Sequence, residues 1–303
     1  MDLFEILSPS GREEGMSEYI KEYAKSYGYR CRNDVFGNLI CEKGENIKVA
    51  IECGMDNVSI MKTAETEKGM IKIAVPNSAL VKSLVGKKIK FLNGVSGVVR
   101  CDKKEDITDF DLAVDIGVSS KEEAEKAVPM GEFATVVCDK FENGDFIYGN
   151  NLSSYIPVWI LMEVMKTAEN TAFLFSAQKK FMGRGLNALF EGYEAETVIS
   201  LNTIPEKNGV SCGKGAVVLV KEKNAVPTVS VRTKLIEVAD GNVQIGATDE
   251  SLGLDAPLVY GKGAYCGGVC VAVRGKDEAY ESVAKSDIDS ASLIISEYLK
   301  RGI

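Results

Sequence analysis

The chain reads as an α/β protein, a sheet covered on both sides by helices, with a smaller β-rich domain set into it. Three observations predict this. Strands and helices alternate at the start of the chain and again after Gly149. Between them, from about Met55 to Gly149, short β-like pieces follow one another between Gly-, Asn- and Lys-rich turns. The 303 residues, 45% hydrophobic and 26% charged, can bury a large core and divide into about two domains at roughly 150 residues each.

The elements follow in order. Ser10 and Glu13 stand at capping-box spacing, and Met16, Tyr19, Ile20, Tyr23 and Ala24 recur at helical intervals, so a first helix is expected up to Tyr27-Gly28. A short strand at 29–33, a turn at Phe36-Gly37-Asn38 and a strand at 39–42 come next. The apolar run Lys48 to Cys53 suits a strand buried inside a sheet. In the β-rich block, 70–75, 87–92 and 95–101 read as strands of a small barrel or sandwich, and Ser120 to Ala127 as a helix opened by Ser119 or Ser120. After Gly149, Ile156 to Lys166 is an apolar helix with Pro157 in its first turn, where proline is tolerated. Thr171 to Ala177, Thr197 to Asn202, Gly215 to Lys221 and Gly268 to Arg274 read as strands, and Gly185 to Gly192 as a short helix. Ser286 and Asp289, again at capping-box spacing, open a last helix to Arg301. The single Trp159 falls in an apolar helix and is expected in the core.

Composition excludes whole classes of chemistry. None of the residues is histidine, which rules out Ser-His-Asp and Cys-His nucleophilic systems, imidazole bases and histidine-bearing zinc sites. A formal charge of −8, from 36 basic against 44 acidic residues, argues against nucleic acid as a partner. No apolar stretch approaches a membrane span, and the first residues do not form a signal peptide, so a cytoplasmic protein is expected. Eight cysteines without a CxxC pair read as free, mostly buried thiols of a reducing compartment. Cys266 and Cys270 would share one face of a strand, either as packing or as a metal pair. Gly213-Lys214-Gly215 and Gly261-Lys262-Gly263 lack the spacing of a phosphate loop and read as turns.

Several segments then match one family in order: SPSGREE from Ser8, DVFGNLI from Asp34, GMDNVSIM from Gly54, DLAVDIGVSSKEEAEK from Asp111, GNNLSSYIPVWILMEVM from Gly149, FLFSAQKKFMGRG from Phe173, VISLNTIP from Val198 and ATDES from Ala247. Together they resemble the cobalt- and zinc-dependent aminopeptidases of metallopeptidase family 42, also described as deblocking or glutamyl aminopeptidases. The resemblance implies a three-layer α/β/α aminopeptidase-like domain (1–62 and 147–303), an inserted small β-barrel dimerisation domain (63–146), and tetrahedral assemblies built from dimers. It also implies two zinc or cobalt ions.

The positions that would hold those ions are changed. Gly54 stands where the family's HMD motif has its histidine, while Asp56 keeps the motif's aspartate. Ser153, in Leu152-Ser153-Ser154-Tyr155, replaces the bridging aspartate of the LDDR motif. Lys179 and Lys180 replace paired glutamates, one a general base and one a metal ligand. Asn202 replaces the next metal aspartate, and the final histidine falls at about Tyr280. Asp249 keeps the aspartate of a motif that lies near the substrate. A dinuclear site needs carboxylates and imidazoles around roughly four units of positive charge. Two Glu-to-Lys exchanges shift the local charge by about four units, so the lysine ammoniums would take the metals' electrostatic role, pairing with Asp56 and Asp249. The alternative is that both lysines point into solvent.

The reading that follows is a catalytically inactive homologue with no cofactor, acting by homo-oligomerisation, by co-assembly with an active paralogue, or by holding a peptide-like or anionic small ligand in the former cleft. The enzymatic alternatives are a metallo-aminopeptidase with a non-standard site drawing on Asp34, Asp56, Asp249 and Asp255, and a hydrolase pairing Ser153 or Ser154 with Lys179 or Lys180.

Overall fold

The computed structural model describes residues 2–75, 81–278 and 280–301. After a short 3-10 turn (Leu3–Glu5) come α1 (Glu14–Ser26), β1 (Arg30–Asn33), β2 (Leu39–Lys43) and β3 (Val49–Gly54). The next block holds β4 (Ile60–Glu65), β5 (Ile71–Ala74), α2 (Val81–Leu84), β6 (Lys88–Phe91), β7 (Ser96–Arg100), β8 (Ala113–Asp115), α3 (Lys121–Ala127) and β9 (Phe133–Val136). β10 (Phe141–Asn143), β11 (Phe146–Gly149), α4 (Leu152–Met165), β12 (Thr171–Ser176), α5 (Arg184–Gly192), β13 (Thr197–Pro205) and β14 (Ala216–Lys221) follow. The chain closes with α6 (Val229–Val238), β15 (Val243–Ala247), α7 (Asp255–Val259), β16 (Tyr265–Val273), β17 (Glu281–Ala284) and α8 (Lys285–Arg301).

An eight-stranded mixed sheet in the order β1-β2-β12-β3-β13-β16-β14-β15 forms the middle layer. Its centre, β12-β3-β13-β16, is parallel and buried on both faces, in keeping with the largely apolar runs of these strands. One face packs Ile51, Cys53, Phe173, Ile199 and Val271 against apolar side chains of α1, α4, α6 and α8. The other packs Ala50, Leu174 and Val198 against Leu186, Leu189 and Phe190 of α5 and Ala256 of α7. Strands β4 to β9 close into a six-stranded barrel in the order β4-β5-β8-β7-β6-β9, with its own core of Ile60, Ile71, Ile89, Phe91, Val99 and Val114. The fully buried Lys62 in that barrel donates to the Val128 carbonyl at 2.6 Å and pairs with Glu65 at 3.0 Å. Among the described residues no helix is long and apolar enough to cross a membrane.

Three local expectations are corrected. Ser10 does not cap α1; its hydroxyl donates to Asp56 Oδ2 at 2.6 Å, and Glu13 accepts from the Gly11 and Gln178 amides instead. A long-range partner wins over the local box because a buried carboxylate needs donors more than a helix end open to water does. α4 begins at Leu152, so Pro157 lies inside the helix and not in its first turn. A proline there leaves the carbonyl four residues earlier without its amide donor, and the Thr203 hydroxyl donates to that Ser153 carbonyl at 3.2 Å. α8 begins at Lys285, ahead of Ser286, and Asp287 in its first turn accepts from the Gly213 and Gly215 amides at 2.8 Å each. That glycine turn is therefore closed by a carboxylate of the same chain. The helix opened by Ser120 stands as expected, with its hydroxyl accepting from the Glu123 amide.

Candidate functional site

Alternation along a strand fixes which side chains meet. On β3, residues 50, 52 and 54 share a face; on β12, residues 172, 174 and 176; on β13, residues 198, 200 and 202. The register sets Glu52 beside Leu174 and Ser200, and Gly54 beside Ser176. Glu52, Gly54, Ser176, Ser200 and Asn202 therefore gather toward the carboxyl ends of parallel strands, the usual place for a site in such a sheet.

A cleft of about 870 Å³ opens there, lined among others by Gly54, Asp56, Ser153, Ser154, Lys179, Lys180, Asn202 and Asp249. The fold thus brings together eight of the positions singled out in the sequence. Tyr280 lies elsewhere: it is exposed and donates to Asp139 Oδ2 at 2.9 Å, a bond that raises its phenol pKa.

At the floor of the cleft, Lys179 Nζ lies 3.0 and 2.8 Å from the two oxygens of Glu52, which is 1% exposed. Glu52 also accepts from the Ser176 and Ser200 hydroxyls at 2.7 Å each, and Asn202 Nδ2 donates to Ser200 Oγ at 2.9 Å. A side chain at position 54 would begin 2.9 Å from Lys179 Cδ and 3.3 Å from Asp56 Oδ1. The Lys179 stem therefore takes the room above Gly54, and its partner is Glu52, not Asp56 or Asp249 as expected.

Asp56 is buried. Its Oδ2 accepts from Ser10 Oγ and, at 2.8 Å, from the Lys180 amide, while its Oδ1 has no hydrogen-bond partner among the described residues. Burial holds its carboxyl above the ordinary range, against the pull of the Lys180 ammonium and the Ser10 hydroxyl. Glu13 stands behind it, pushed up to about 7 by burial, with the Asp56 charge adding to the shift. These two carboxyls hold the amides of Gln178 and Lys180, and so fix a loop in which Gln178, Met182 and Gly183 have left-handed φ of 49°, 58° and 63°.

On the opposite wall, the Ser153 amide and hydroxyl both donate to buried Glu281, at 2.7 and 2.9 Å, and the Asp277 amide donates to the same carboxylate at 3.0 Å. Ser154 donates to Asn151 Oδ1 at 2.8 Å. Neither serine donates to a lysine, so no Ser-Lys pair is set up. Asp249 sits exposed at the rim beside Glu250, whose Oε2 lies 2.5 Å from Lys276 Nζ. Burial pulls the Lys276 ammonium down, but Glu250, Asp277 and Glu281 together carry its pKa above the ordinary value.

Sequence reasoning missed Glu52, Glu281 and Lys276. The signal for Glu52 was present: a glutamate inside the buried run KVAIEC needs a cation, and Lys179 supplies it.

The donor set does not fit a pair of zinc or cobalt ions. Among the described residues no three His, Cys, Asp or Glu side chains converge in a metal-holding group. An ammonium held by Glu52 occupies the floor, and thiol pKa values at Cys266 and Cys270 are raised by burial, which opposes the thiolate form that metals bind.

Comparison with known proteins agrees with this architecture. A protein of Acetivibrio thermocellus that carries an aminopeptidase name is 28% identical over 317 residues, covering 96% of this chain and 94% of that one. The TET aminopeptidase of Thaumarchaeota archaeon SCGC AB-539-E09 superposes with a TM-score of 0.91 at 18% identity, covering 99% of this chain and 95% of that one. The Pyrococcus horikoshii TET1 peptidase, which assembles into a tetrahedron or a large octahedral shell, superposes with a TM-score of 0.86 at 22% identity over 97% of this chain and 96% of its own. The sequence profile of the M42 glutamyl aminopeptidases matches residues 37–293, and the chain belongs to that family.

Proposed function

We propose that this protein is a catalytically inactive member of its family, which works by self-assembly and by holding a ligand in the former active cleft. The observation that carries the reading is the seat of Lys179. Its ammonium, bound by both oxygens of Glu52 and backed by Ser176 and Ser200, supplies fixed positive charge where the family's ions would supply it. An ammonium neutralises a carboxylate but has no empty orbital to polarise a carbonyl and no water to activate, so charge is kept and Lewis acidity is lost. The carboxylates that line the cleft, Asp56, Asp249, Asp255, Asp277 and the Lys276-paired Glu250, are oxygen donors that suit magnesium or calcium better than zinc or cobalt.

The ligand class that fits is a peptide-like or anionic small molecule. Among the described residues, Lys180 lines the cleft without an ion pair and Asp56 Oδ1 is an acceptor without a donor. Assembly with further copies of this chain is supported by the tetrahedron and large octahedral shell that the Pyrococcus horikoshii relative forms; the barrel is the surface we propose for it, and an active paralogue the alternative partner.

Two measurements test the reading. Purified protein is analysed for bound metal and assayed on aminoacyl-nitroanilides with added zinc, cobalt and manganese; the expected result is no stoichiometric metal and no turnover. Stoichiometric metal with turnover overturns the loss of catalysis. Light scattering is expected to give a dimer or larger particle, and a monomer at working concentrations removes the assembly role.

A further inference from the structure

Away from the cleft, β1 and β2 form an antiparallel hairpin in which Cys31 stands directly opposite Cys41. Facing residues in such a pair have Cα atoms about 4.5 or 5.5 Å apart. Both spacings lie within the roughly 4.4–6.8 Å that a disulfide spans. The two sulfurs are 3.0 Å apart with both thiols free. The register thus sets the two cysteines face to face with their sulfurs in contact, the arrangement from which an S–S bond can form.

The pair is also asymmetric. Cys31 is half-buried and lies near Lys21 and Lys25 of α1, whereas Cys41 is fully buried. Its contact with Cys41, aided by those lysines, lowers the Cys31 thiol pKa against the effect of burial; the same contact and burial raise that of Cys41. One sulfur is thus reachable and inclined to the thiolate, and the other is shielded and positioned to resolve what forms on the first.

We propose that Cys31 and Cys41 form a dithiol redox site that reacts with small-molecule disulfides of the glutathione class. The Cys31 thiolate attacks one sulfur of the oxidised disulfide, forming a mixed disulfide and releasing one small thiolate. Cys41 gives up its proton to that thiolate and attacks the Cys31 sulfur, forming the Cys31–Cys41 bond and expelling the second small thiolate, which takes a proton from water. The protein loses two hydrogens and the small disulfide gains them. The inference does not depend on the reading of the cleft.

The hairpin has a structural reason to be tied. At its turn, Asn38 Oδ1 accepts from the Ala177 amide at 2.8 Å, and Asn38 Nδ2 donates to the Gly185 carbonyl at 2.9 Å. One side chain therefore clamps both ends of the loop that presents Lys179 and Lys180, and the bond would lock the strands that hold this clamp.

The test uses the full chain incubated with glutathione disulfide, then alkylated and digested for mass spectrometry. The expected product is two hydrogens lighter, with Cys31 joined to Cys41 and every other thiol alkylated, and dithiothreitol restores the starting mass. Cys41→Ser is expected to stop at one glutathione on Cys31, and Cys31→Ser to take up none at Cys41. Circular dichroism checks that each variant is folded, with Cys41→Ala as the substitute if Cys41→Ser is not. A native chain that keeps both thiols alkylatable, or that retains glutathione on Cys31 beside a free Cys41, overturns the proposal.

Discussion

Lys179 and Glu52 form an ion pair at the floor of the cleft, with Lys179 Nζ 2.8 and 3.0 Å from the carboxylate oxygens and the Glu52 side chain 1% exposed. Two charges taken out of water need each other. Removing one partner of such a pair leaves an uncompensated buried charge, at a cost of about 3–5 kcal/mol. Lys179→Met is therefore expected to lower stability in urea by about that amount, and Glu52→Gln by a comparable amount. The double variant should lose clearly less than the sum of the two singles. Additive losses in that cycle would mean that the ammonium and carboxylate do not depend on each other.

The state of Ser153 leads to a second expectation. Its amide and hydroxyl both donate to buried Glu281, while Lys179 is held by Glu52. A serine whose proton is donated to a carboxylate, and not to a lysine amine, is not set up as the nucleophile of a Ser-Lys pair. A fluorophosphonate probe is expected to leave the protein unlabelled. Ser153→Ala should cost about 1–3 kcal/mol, because Glu281 loses a donor. Labelling that Ser153→Ala abolishes would revive a serine-based hydrolase.

Much of the fold could be read in the sequence because its strands announce themselves. The buried runs at β3, β12 and β13 and the turn-bounded barrel strands β5, β6 and β7 need no tertiary information, whereas β4 and β9 of the same barrel are not read as strands. α6 escaped notice because Val229-Ser230-Val231 favours an extended chain, although Val231, Leu235 and Val238 recur at helical spacing and are buried together. The cleft was legible in its membership, since eight positions singled out by motif line it. Its pairings were not. Which carboxylate meets Lys179 depends on strand pairing that brings together residues 127 apart in the chain, and no local pattern encodes that. Ser10 likewise fits a helix cap by spacing, yet folding offers it Asp56.

The pH dependence of stability follows from Glu13. Burial raises its pKa from 4.5 to about 7. Between those values the folded chain keeps a proton that the unfolded chain has released. The contribution is therefore fully present below pH 4.5 and is lost as pH rises through about 7, by about 3 kcal/mol at most. Glu13→Gln keeps an oxygen acceptor for the Gly11 and Gln178 amides but carries no charge. It should match the parent near pH 4.5 and exceed it at pH 8. Denaturation midpoints measured across that range give the difference directly, and a variant that tracks the parent at every pH removes Glu13 as the cause.

The proline inside α4 offers the most local test. Pro157 cannot donate to the Ser153 carbonyl, and Thr203 of β13 donates to it instead at 3.2 Å. Thr203→Val keeps the shape but removes that hydroxyl, leaving a buried carbonyl unpaired at a cost of about 1–2 kcal/mol. Pro157→Ala returns an amide to the helix, which can then satisfy Ser153 without help. In the Pro157→Ala background, Thr203→Val should therefore cost much less than in the parent chain. Unfolding free energies of the four proteins give a coupling energy, and a value near zero would show that the Thr203 hydroxyl does not substitute for the missing helical bond.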